Sequence, residues 1–225
     1  MKNIFLAIVI LLGLTSCNGQ KLSTNEKKLI EEIGLPEEIA LKIKKYSTSK
    51  YELNNGNPDR ALLYENIDSL KTYSNTQPLA LKINAKSNNA TKIVAEFGDI
   101  LFEKNIIIYK SAENYGNSDD VITILKSKNK FEPLLFEATN AVNYNIYTPQ
   151  IIERLKLWDS LYGIKLTGAG MDFVSGEFIK KPNDISKFSQ EMYEFCPDIV
   201  DQGVGDVKAL EKSIQESNDF FLWWD

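Results

Sequence analysis

The stretch LALKINAKSNNATKIVAEFGDILFEKNIIIY, residues 79–109, decides the fold of this chain. Residues 80–85 have the length and apolar content of a β-strand. Residues 106–109 form a continuous apolar run, typical of a strand that is covered on both faces. Between them, 89–104 repeats its apolar residues at helical spacing. The stretch therefore predicts a strand, a helix and a second strand in succession.

The alternation of strands and helices continues to the last residue. Further helices are predicted at 118–126, from Thr148 to near Gly163, from Asp184 to Pro197 and over 207–214. Further strands are predicted at 134–138, 164–167, 173–178 and 220–224. Ahead of this region, the patterns indicate helices at 25–33, from Pro36 onward and at 59–73. The sequence thus predicts the α/β class: one layered domain with a mixed, partly parallel sheet flanked by helices, plus N-terminal helices.

Composition excludes several function classes. The 225 residues include no histidine, which removes Ser-His-Asp and Cys-His nucleophiles and histidine-containing zinc sites. The formal net charge is −5 and no basic stripe occurs, so nucleic-acid binding is not expected. Neither a metal nor another cofactor is predicted. Any catalysis would rest on carboxylates, lysines, tyrosines or an unaided thiol.

The N-terminus has the features of an export signal. Lys2 precedes an apolar run from Ile4 to Leu14, which is too short to span a bilayer. Leu14-Thr15-Ser16-Cys17 resembles the lipobox of bacterial lipoproteins. That resemblance implies cleavage before Cys17, a diacylglyceryl group on its sulfur and N-acylation with a fatty acid such as palmitate.

The predicted organisation follows from that signal. It consists of a signal peptide at 1–16, a lipidated tether at 17–24, an N-terminal helical region at 25–78 and an α/β domain at 79–225. The lipid would hold the protein at a membrane of the bacterial cell envelope without a spanning helix. Residues 18–22 contain no acidic run, which favours an outer-membrane anchor facing the periplasm.

Several phrases in the C-terminal half resemble one bacterial family. They are Asn143-Tyr144-Asn145, 151–159, 168–172, 195–203 and the closing Leu222-Trp223-Trp224-Asp225. Together they are similar to domain-of-unknown-function family 4253 over about residues 106–225. The resemblance implies a domain and carries no activity with it.

The first candidate site lies in the loops that follow predicted strands. In open α/β sheets, ligands bind beyond the carboxyl ends of the strands. These loops contain the candidate ligand-binding residues Asn114, Tyr115, Asn140, Asn143 and Tyr144. Glu113 and Asp172 are candidate acid and base groups. Ordinary turn chemistry is the competing interpretation of the asparagines, since Asn bonds its own backbone and tolerates left-handed geometry.

The second candidate site is 196–206, where Asp198, Asp201 and Asp206 accompany two glycines. Such loops can hold calcium, but the spacing is not that of an EF-hand. The favoured interpretation is structural: a helix ends at Pro197, Gly203 and Gly205 adopt positive φ in the turn, and Asp206 caps the next helix. With Cys17 lipidated, Cys196 has no internal disulfide partner, and its apolar neighbours predict a buried thiol and not a nucleophile.

The apolar C-terminal stretch 220–225 could dock a partner, but both of its faces are apolar. It is therefore predicted to be a central or well-covered strand, just as Trp158 is predicted to be core.

Three functions remain open. The first is a lipid-anchored extracytoplasmic binding domain, immunity-type or ligand-scavenging, with a protein or a small polar molecule as partner. The second is a carboxylate-based hydrolase that uses Glu113, Asp172 or Asp198. The third is a structural envelope lipoprotein, which would lack a pocket and expose a large apolar patch. The absence of any recognisable catalytic set favours binding over catalysis.

Overall fold

A computed structural model describes residues 21–57 and 77–225. Its strands are β1 (Glu52–Leu53), β2 (Ala80–Ala85), β3 (Ile106–Ala112), β4 (Asp120–Lys126), β5 (Ile164–Ala169), β6 (Phe173–Phe178) and β7 (Asp219–Trp223). Its α-helices are α1 (Thr24–Ile33), α2 (Glu37–Tyr46), α3 (Ser87–Phe102), α4 (Glu132–Glu137), α5 (Thr148–Tyr162), α6 (Ile185–Phe195) and α7 (Val207–Glu216). Within the described residues, the strands form one sheet in the order β1-β2-β4-β3-β5-β6-β7. All neighbours are antiparallel except β3 and β5, which are parallel, so the predicted α/β class with a mixed sheet is confirmed.

The N-terminal half of the fold packs α1, α2 and α3 on one face of β2, β4 and β3. Its core is mainly aliphatic, with Ile43, Ile83 and Ile93 fully buried. Local signals fix the helix ends: Ser23 and Glu26 form a capping box on α1, and Gly34 ends that helix with φ 81°. The predicted helices at 25–33 and from Pro36 are confirmed, and they share this core with the sheet.

The C-terminal half packs α5, α6 and α7 on the opposite face, over β5, β6 and β7. Its core is aromatic. Trp158 is fully buried, as predicted, and meets Phe188, Phe195 and Phe220 edge to face at centroid distances of 5.1, 6.0 and 6.4 Å. The Trp158 indole N–H also donates to Glu191 at 3.0 Å, so its one polar atom is satisfied.

The two halves meet where β3 pairs with β5. Their register is set at Lys110 and Gly168. Helix α3 extends over this junction as far as β5, so Glu177 on β6 and Asp219 on β7 stay exposed on the α3 side. Because each half covers a different face, the sheet has a partly open surface beside α3.

The N-terminal half contains a buried ion pair between Glu26 and Lys44, which are 2% and 7% exposed. Burial of Glu26 opposes ionisation, but hydrogen bonds from Lys44, Ser23 and the Tyr51 N–H outweigh it and lower the pKa of the carboxyl to about 2. No local pattern predicts this pair, because Glu26 and Lys44 each lie among other charged residues of an amphipathic helix. Residue Glu26 thus ties α1 to α2 and to the chain entering β1.

Two predicted elements were wrong. The predicted helix at 118–126 is strand β4, because the run Val121-Ile122-Thr123-Ile124 is β-branched and pairs with β2 and β3 on its two sides. The predicted strand at 134–138 is helix α4, which has Pro133 in its first turn and ends at Ala138 with φ 58°. Both are short runs buried on several sides, where periodicity cannot separate helix from strand.

Three further predictions concern the two ends of the chain and residues 59–73. The C-terminal stretch forms β7 at the edge of the sheet, not at its centre, although Phe220, Leu222 and Trp224 are core as expected. The described fold begins within the predicted tether, since Leu22 is 7% exposed and Ser23 caps α1. The predicted helix at 59–73, the signal peptide at 1–16 and Cys17 lie outside the described residues.

Candidate functional site

A groove of about 220 Å³ lies on the open side of the sheet, between the first half of α3 and strands β3, β5, β6 and β7. One wall is the helix surface at Thr91, Val94 and Ala95. The opposite wall comes from β3, β5, β6, β7 and the residue after β3, and it combines Gly176 and the rings of Phe220 and Phe221 with six polar residues: Lys110, Glu113, Thr167, Ser175, Glu177 and Asp219. The groove is therefore built from both halves of the fold.

Close contacts organise the floor of the groove. Lys110 Nζ lies 2.7 Å from Glu113 Oε1, and both side chains are largely buried. The hydroxyls of Thr167 and Ser175 are 3.3 Å apart across β5 and β6. A Cβ at Gly168 would lie only 2.5 Å from Ser175 Oγ, so glycine is needed there for this hydroxyl to reach the floor.

The charge of the groove is negative overall. Lys110 is the one basic side chain among the groove-lining residues, against Glu113, Glu177 and Asp219. Lys110 is already paired with Glu113, which leaves Glu177 and Asp219, both exposed, as the charges that face solvent. The arrangement offers hydroxyl groups and carboxylates to a ligand, together with an apolar wall.

Glu113 and Asp172, the predicted acid and base groups, are both close to Tyr115. Burial, Glu113, Asp172 and Asp120 together raise the pKa of the Tyr115 phenol. Glu113 lines the groove, whereas Asp172 is exposed and is absent from its lining. These two carboxylates thus share a neighbour without sharing a concave pocket. Tyr115 itself is 72% exposed and adopts φ 49°.

The predicted ligand-binding asparagines make internal contacts. The Asn114 backbone N–H donates to the Asp120 carboxylate at 2.9 Å, and the Asn114 side-chain amide donates to the Asp119 carbonyl at 2.7 Å. The Asn140 side chain donates to the Ala138 carbonyl at 3.1 Å, and its N–H donates to the Met171 carbonyl. The Asn114 contacts hold the turn between β3 and β4, and those of Asn140 tie the segment after α4 to the β5–β6 turn.

Asp198, the third candidate carboxylate, is a buried hub that is 3% exposed. It accepts hydrogen bonds from Tyr144 at 2.5 Å, from Gln202 at 3.0 Å and from the Asp225 N–H at 2.9 Å. Burial opposes ionisation of Asp198, but these three donors outweigh it and lower the pKa of the carboxyl. The same contact with Asp198 raises the pKa of Tyr144 to about 12.

Asn143 completes this cluster, because its side chain donates to the Asp225 carbonyl. Asn143, Tyr144, Asp198 and Asp225 therefore meet at one point although they are far apart in sequence. We call these four residues the C-terminal clamp. All of them belong to the phrases that carry the family resemblance, and here they fasten the end of the chain to α6 and its following turn.

Cys196 is fully buried, as the sequence predicts. Its thiol donates to the Trp223 carbonyl at 2.9 Å, and its sulfur accepts the Trp223 N–H at 3.3 Å. Burial raises the pKa of the thiol to about 12, so the thiolate is scarce at neutral pH. The thiol satisfies the outward backbone groups of edge strand β7, which is a structural role.

The turn after α6 agrees with its predicted structural role at Gly205 and Asp206 but not at Gly203. Residues Ile199–Val204 form a π-helical turn, Gly205 has φ 93°, and Asp206 caps α7 by accepting the Ala209 N–H. Gly203 does not need positive φ, contrary to expectation. Among the described residues, no group of three or more acidic or cysteine side chains is placed to hold a metal ion.

Sequence reasoning missed most of the groove. It identified Glu113 but not Lys110, Thr167, Ser175 or Glu177, which lie within strands. A signal existed in the alternation of Lys165 and Thr167 on β5 and of Ser175 and Glu177 on β6, which places polar side chains on one face of each strand. The predicted site residues lie in loops after the strands, whereas this polar alternation lies within them.

Comparison with known families finds a match to the C-terminal part of the chain. The family model described as a domain of unknown function (DUF4253) matches residues 121–225, a narrower range than the resemblance indicated. No curated protein matches the chain. No solved structure matches it either. Among the described residues, no helix has the length and apolar character to cross a membrane.

Proposed function

Since residues 121–225 belong to the family of domains of unknown function 4253, which brings no activity with it, we propose a function from the site itself. The chain is a lipid-anchored binding domain of the bacterial cell envelope that holds a small, positively charged polar ligand in the groove beside α3. The observation that carries the proposal is the polar groove itself, with its exposed Glu177 and Asp219 and its hydroxyl floor.

The size and charge of the groove select the ligand. Its volume of about 220 Å³ is below the roughly 300–1,000 Å³ of sites for drug-sized ligands, so the ligand is of amino-acid or simple amine size. Two exposed carboxylates attract a cation, and the Thr167 and Ser175 hydroxyls can bond its polar groups. A pocket of this size favours the scavenging of a small ligand over the immunity-type function, in which the domain would bind a protein partner. A stable protein–protein interface buries about 800 Å² on each partner.

The anchor rests on the Leu14-Thr15-Ser16-Cys17 motif. Because the described fold starts at Leu22, a lipid on Cys17 would be separated from the fold by a few residues, at most about 18 Å of extended chain. Such a short connection would keep the domain close to the membrane surface. It fits a protein that captures small molecules at the cell envelope.

The alternatives have less support. The predicted hydrolase would use two of Glu113, Asp172 and Asp198 in one pocket, but only Glu113 lines the groove. Asp198 is hydrogen-bonded within the clamp, and Asp172 lies outside the groove. A purely structural lipoprotein leaves the polar groove without a role.

The anchor is tested by expressing the full chain in a bacterium with an alkyne-labelled palmitate. We expect the wild-type protein to be labelled and to sediment with membranes, and Cys17→Ser to remain unlabelled. An unlabelled wild-type protein would remove the anchor from the proposal.

The groove is tested by calorimetry with arginine, ornithine and putrescine, and with succinate as an anionic control. We expect an amine to bind and succinate not to bind. Glu177→Gln should weaken amine binding about tenfold, the effect of losing one charge-assisted contact. Glu103→Gln, an exposed acid outside the groove, should have no effect. Equal affinity in both variants would contradict the proposal.

A further inference from the structure

A second cavity, of about 340 Å³, lies at the other end of α3. It occupies the junction between the two halves, beside the short β3–β5 ladder. Its lining shares no residue with the groove described above. Four buried apolar residues line its inner end, where β3 and β5 meet: Ile107 and Ile108 from β3, and Ile164 and Leu166 from β5.

The mouth of this cavity exposes apolar side chains to solvent. Phe102 is 43% exposed and Ile179 is 71% exposed, although both are large and apolar. An exposed apolar lip that continues into a buried apolar wall favours an apolar occupant, because binding removes both surfaces from water. The cavity has room for roughly ten groups of the size of a water molecule, at about 30 Å³ each.

Two lysines, Lys130 and Lys165, add positively charged ammonium groups to the lining of the cavity. Lys165 Nζ lies 2.9 Å from Asp99, whose side chain is 80% exposed. Lys130 Nζ lies 2.6 Å from Asp159 and 3.1 Å from the Ile164 carbonyl. A lysine has three donors, so Lys165 keeps two and Lys130 keeps one for another acceptor. The exposed Asp99 holds Lys165 only weakly, since it is well solvated.

We propose that this cavity binds an amphipathic anion of the fatty-acid type, with its single chain against Ile108 and Leu166 and its head group at Lys165 and Lys130. The head group takes the free donors of the two lysines, and Asp99 turns to solvent. The remaining lysine N–H donors favour an anionic acceptor here, whereas the exposed carboxylates of the groove at the other end of α3 favour a cation.

The experiment uses the full chain with Cys17→Ser, so that no attached lipid competes. Decanoate, decanol and decylammonium are titrated by calorimetry. Decanoate should bind about tenfold more tightly than decanol, and decylammonium most weakly. Equal binding of all three, or no binding of decanoate, would overturn the proposal.

Two variants separate the chain from the head group. Gly98→Leu fills the cavity from α3, where a Cβ lies 3.4 Å from the flexible end of Lys165, and leucine favours the helix more than glycine does. It should abolish binding of decanoate and decanol without lowering the melting temperature. Lys165→Met should weaken decanoate about tenfold and leave decanol unchanged. Wild-type affinity in Gly98→Leu would show that the ligand binds elsewhere.

A parallel titration with phosphatidylglycerol vesicles separates two sources of such a chain. Loss of vesicle binding in Gly98→Leu would assign the chain to membrane lipid. Vesicle binding that is equal or absent in both proteins, with decanoate binding lost in the variant, would assign it to a free fatty acid.

Discussion

The two halves of the molecule solve the same packing problem differently. The N-terminal half covers one face of the sheet with aliphatic side chains and holds its helices together with the buried pair Glu26–Lys44. The C-terminal half covers the other face with a cluster of aromatic rings and fastens the chain end with the clamp around Asp198. The groove and the apolar cavity both lie between the halves, since each takes lining residues from both.

The family match does not coincide with either half. It starts at residue 121, inside β4, yet β4 pairs with β2 and β3, which lie outside the match. Strand β3 also separates β4 from β5 in the sheet. The folding unit is therefore larger than the matched segment.

The largest expected effect comes from separating the halves. A fragment of residues 121–225 leaves β4 without either neighbouring strand and β5 without β3. We expect it to show no cooperative thermal unfolding and no near-ultraviolet circular dichroism. Residues 21–225 serve as the control and should unfold cooperatively. A cooperative transition in the short fragment would show that the C-terminal half folds alone.

The aromatic core is tested next. Trp158→Ala removes the ring that contacts Phe188, Phe195 and Phe220, and should lower the free energy of unfolding by about 4 kcal/mol. Trp223→Ala, at a half-buried position of β7, should cost less than half as much. Urea denaturation measures both variants. Equal losses would mean that the C-terminal core does not depend on Trp158.

The buried ion pair of the N-terminal half should have a similar but smaller effect. Lys44→Met leaves the Glu26 carboxylate buried without its cation and should cost about 3 kcal/mol. Lys45→Met, the exposed neighbour, should be nearly neutral. The pKa of Glu26 is lowered in the fold, so its stabilisation is present above pH 4.5 and is lost as the pH falls toward about 2. A Lys44→Met protein as stable as Lys45→Met would contradict this role.

The clamp should show the smallest of these effects. Asp198→Asn keeps the shape of the side chain but removes the negative charge that accepts three hydrogen bonds. It should lower the free energy of unfolding by about 2 kcal/mol at pH 7. Because folding lowers the pKa of Asp198, the stability difference from wild type should shrink as the pH falls through that pKa. Asp201→Asn, at an exposed position of the same turn, is the control and should be nearly neutral at pH 7. The comparison uses urea denaturation at pH 7 and pH 3.

The sequence predicted elements well where one local rule dominated. Strand β2 and helix α5 have clear periodicity, and Asp184 and Asp206 cap α6 and α7 as expected. Prediction failed for β4 and α4, because their apolar residues are buried by partners that are distant in sequence. Long-range pairing overrides local propensity in such short segments.

The site was less predictable than the fold for a related reason. The groove depends on which face of β5 and β6 is left uncovered, and that follows from helix placement rather than from any motif. The sequence predicts ligand binding by Asn143 and Tyr144 and catalysis by Asp198. In the structure these three residues meet Asp225 in the clamp. Residues with distinctive chemistry can serve the fold as readily as they serve a ligand.

The proposed ligand site takes residues from both halves of the fold. Chemical-shift mapping on nitrogen-15-labelled residues 21–225, titrated with the amine that binds most tightly, tests it directly. We expect shifts at Thr91 and Ala95 on α3 together with Ser175 and Glu177 on β6. Shifts confined to one half, such as those of Asn140 and Tyr144 alone, would contradict it.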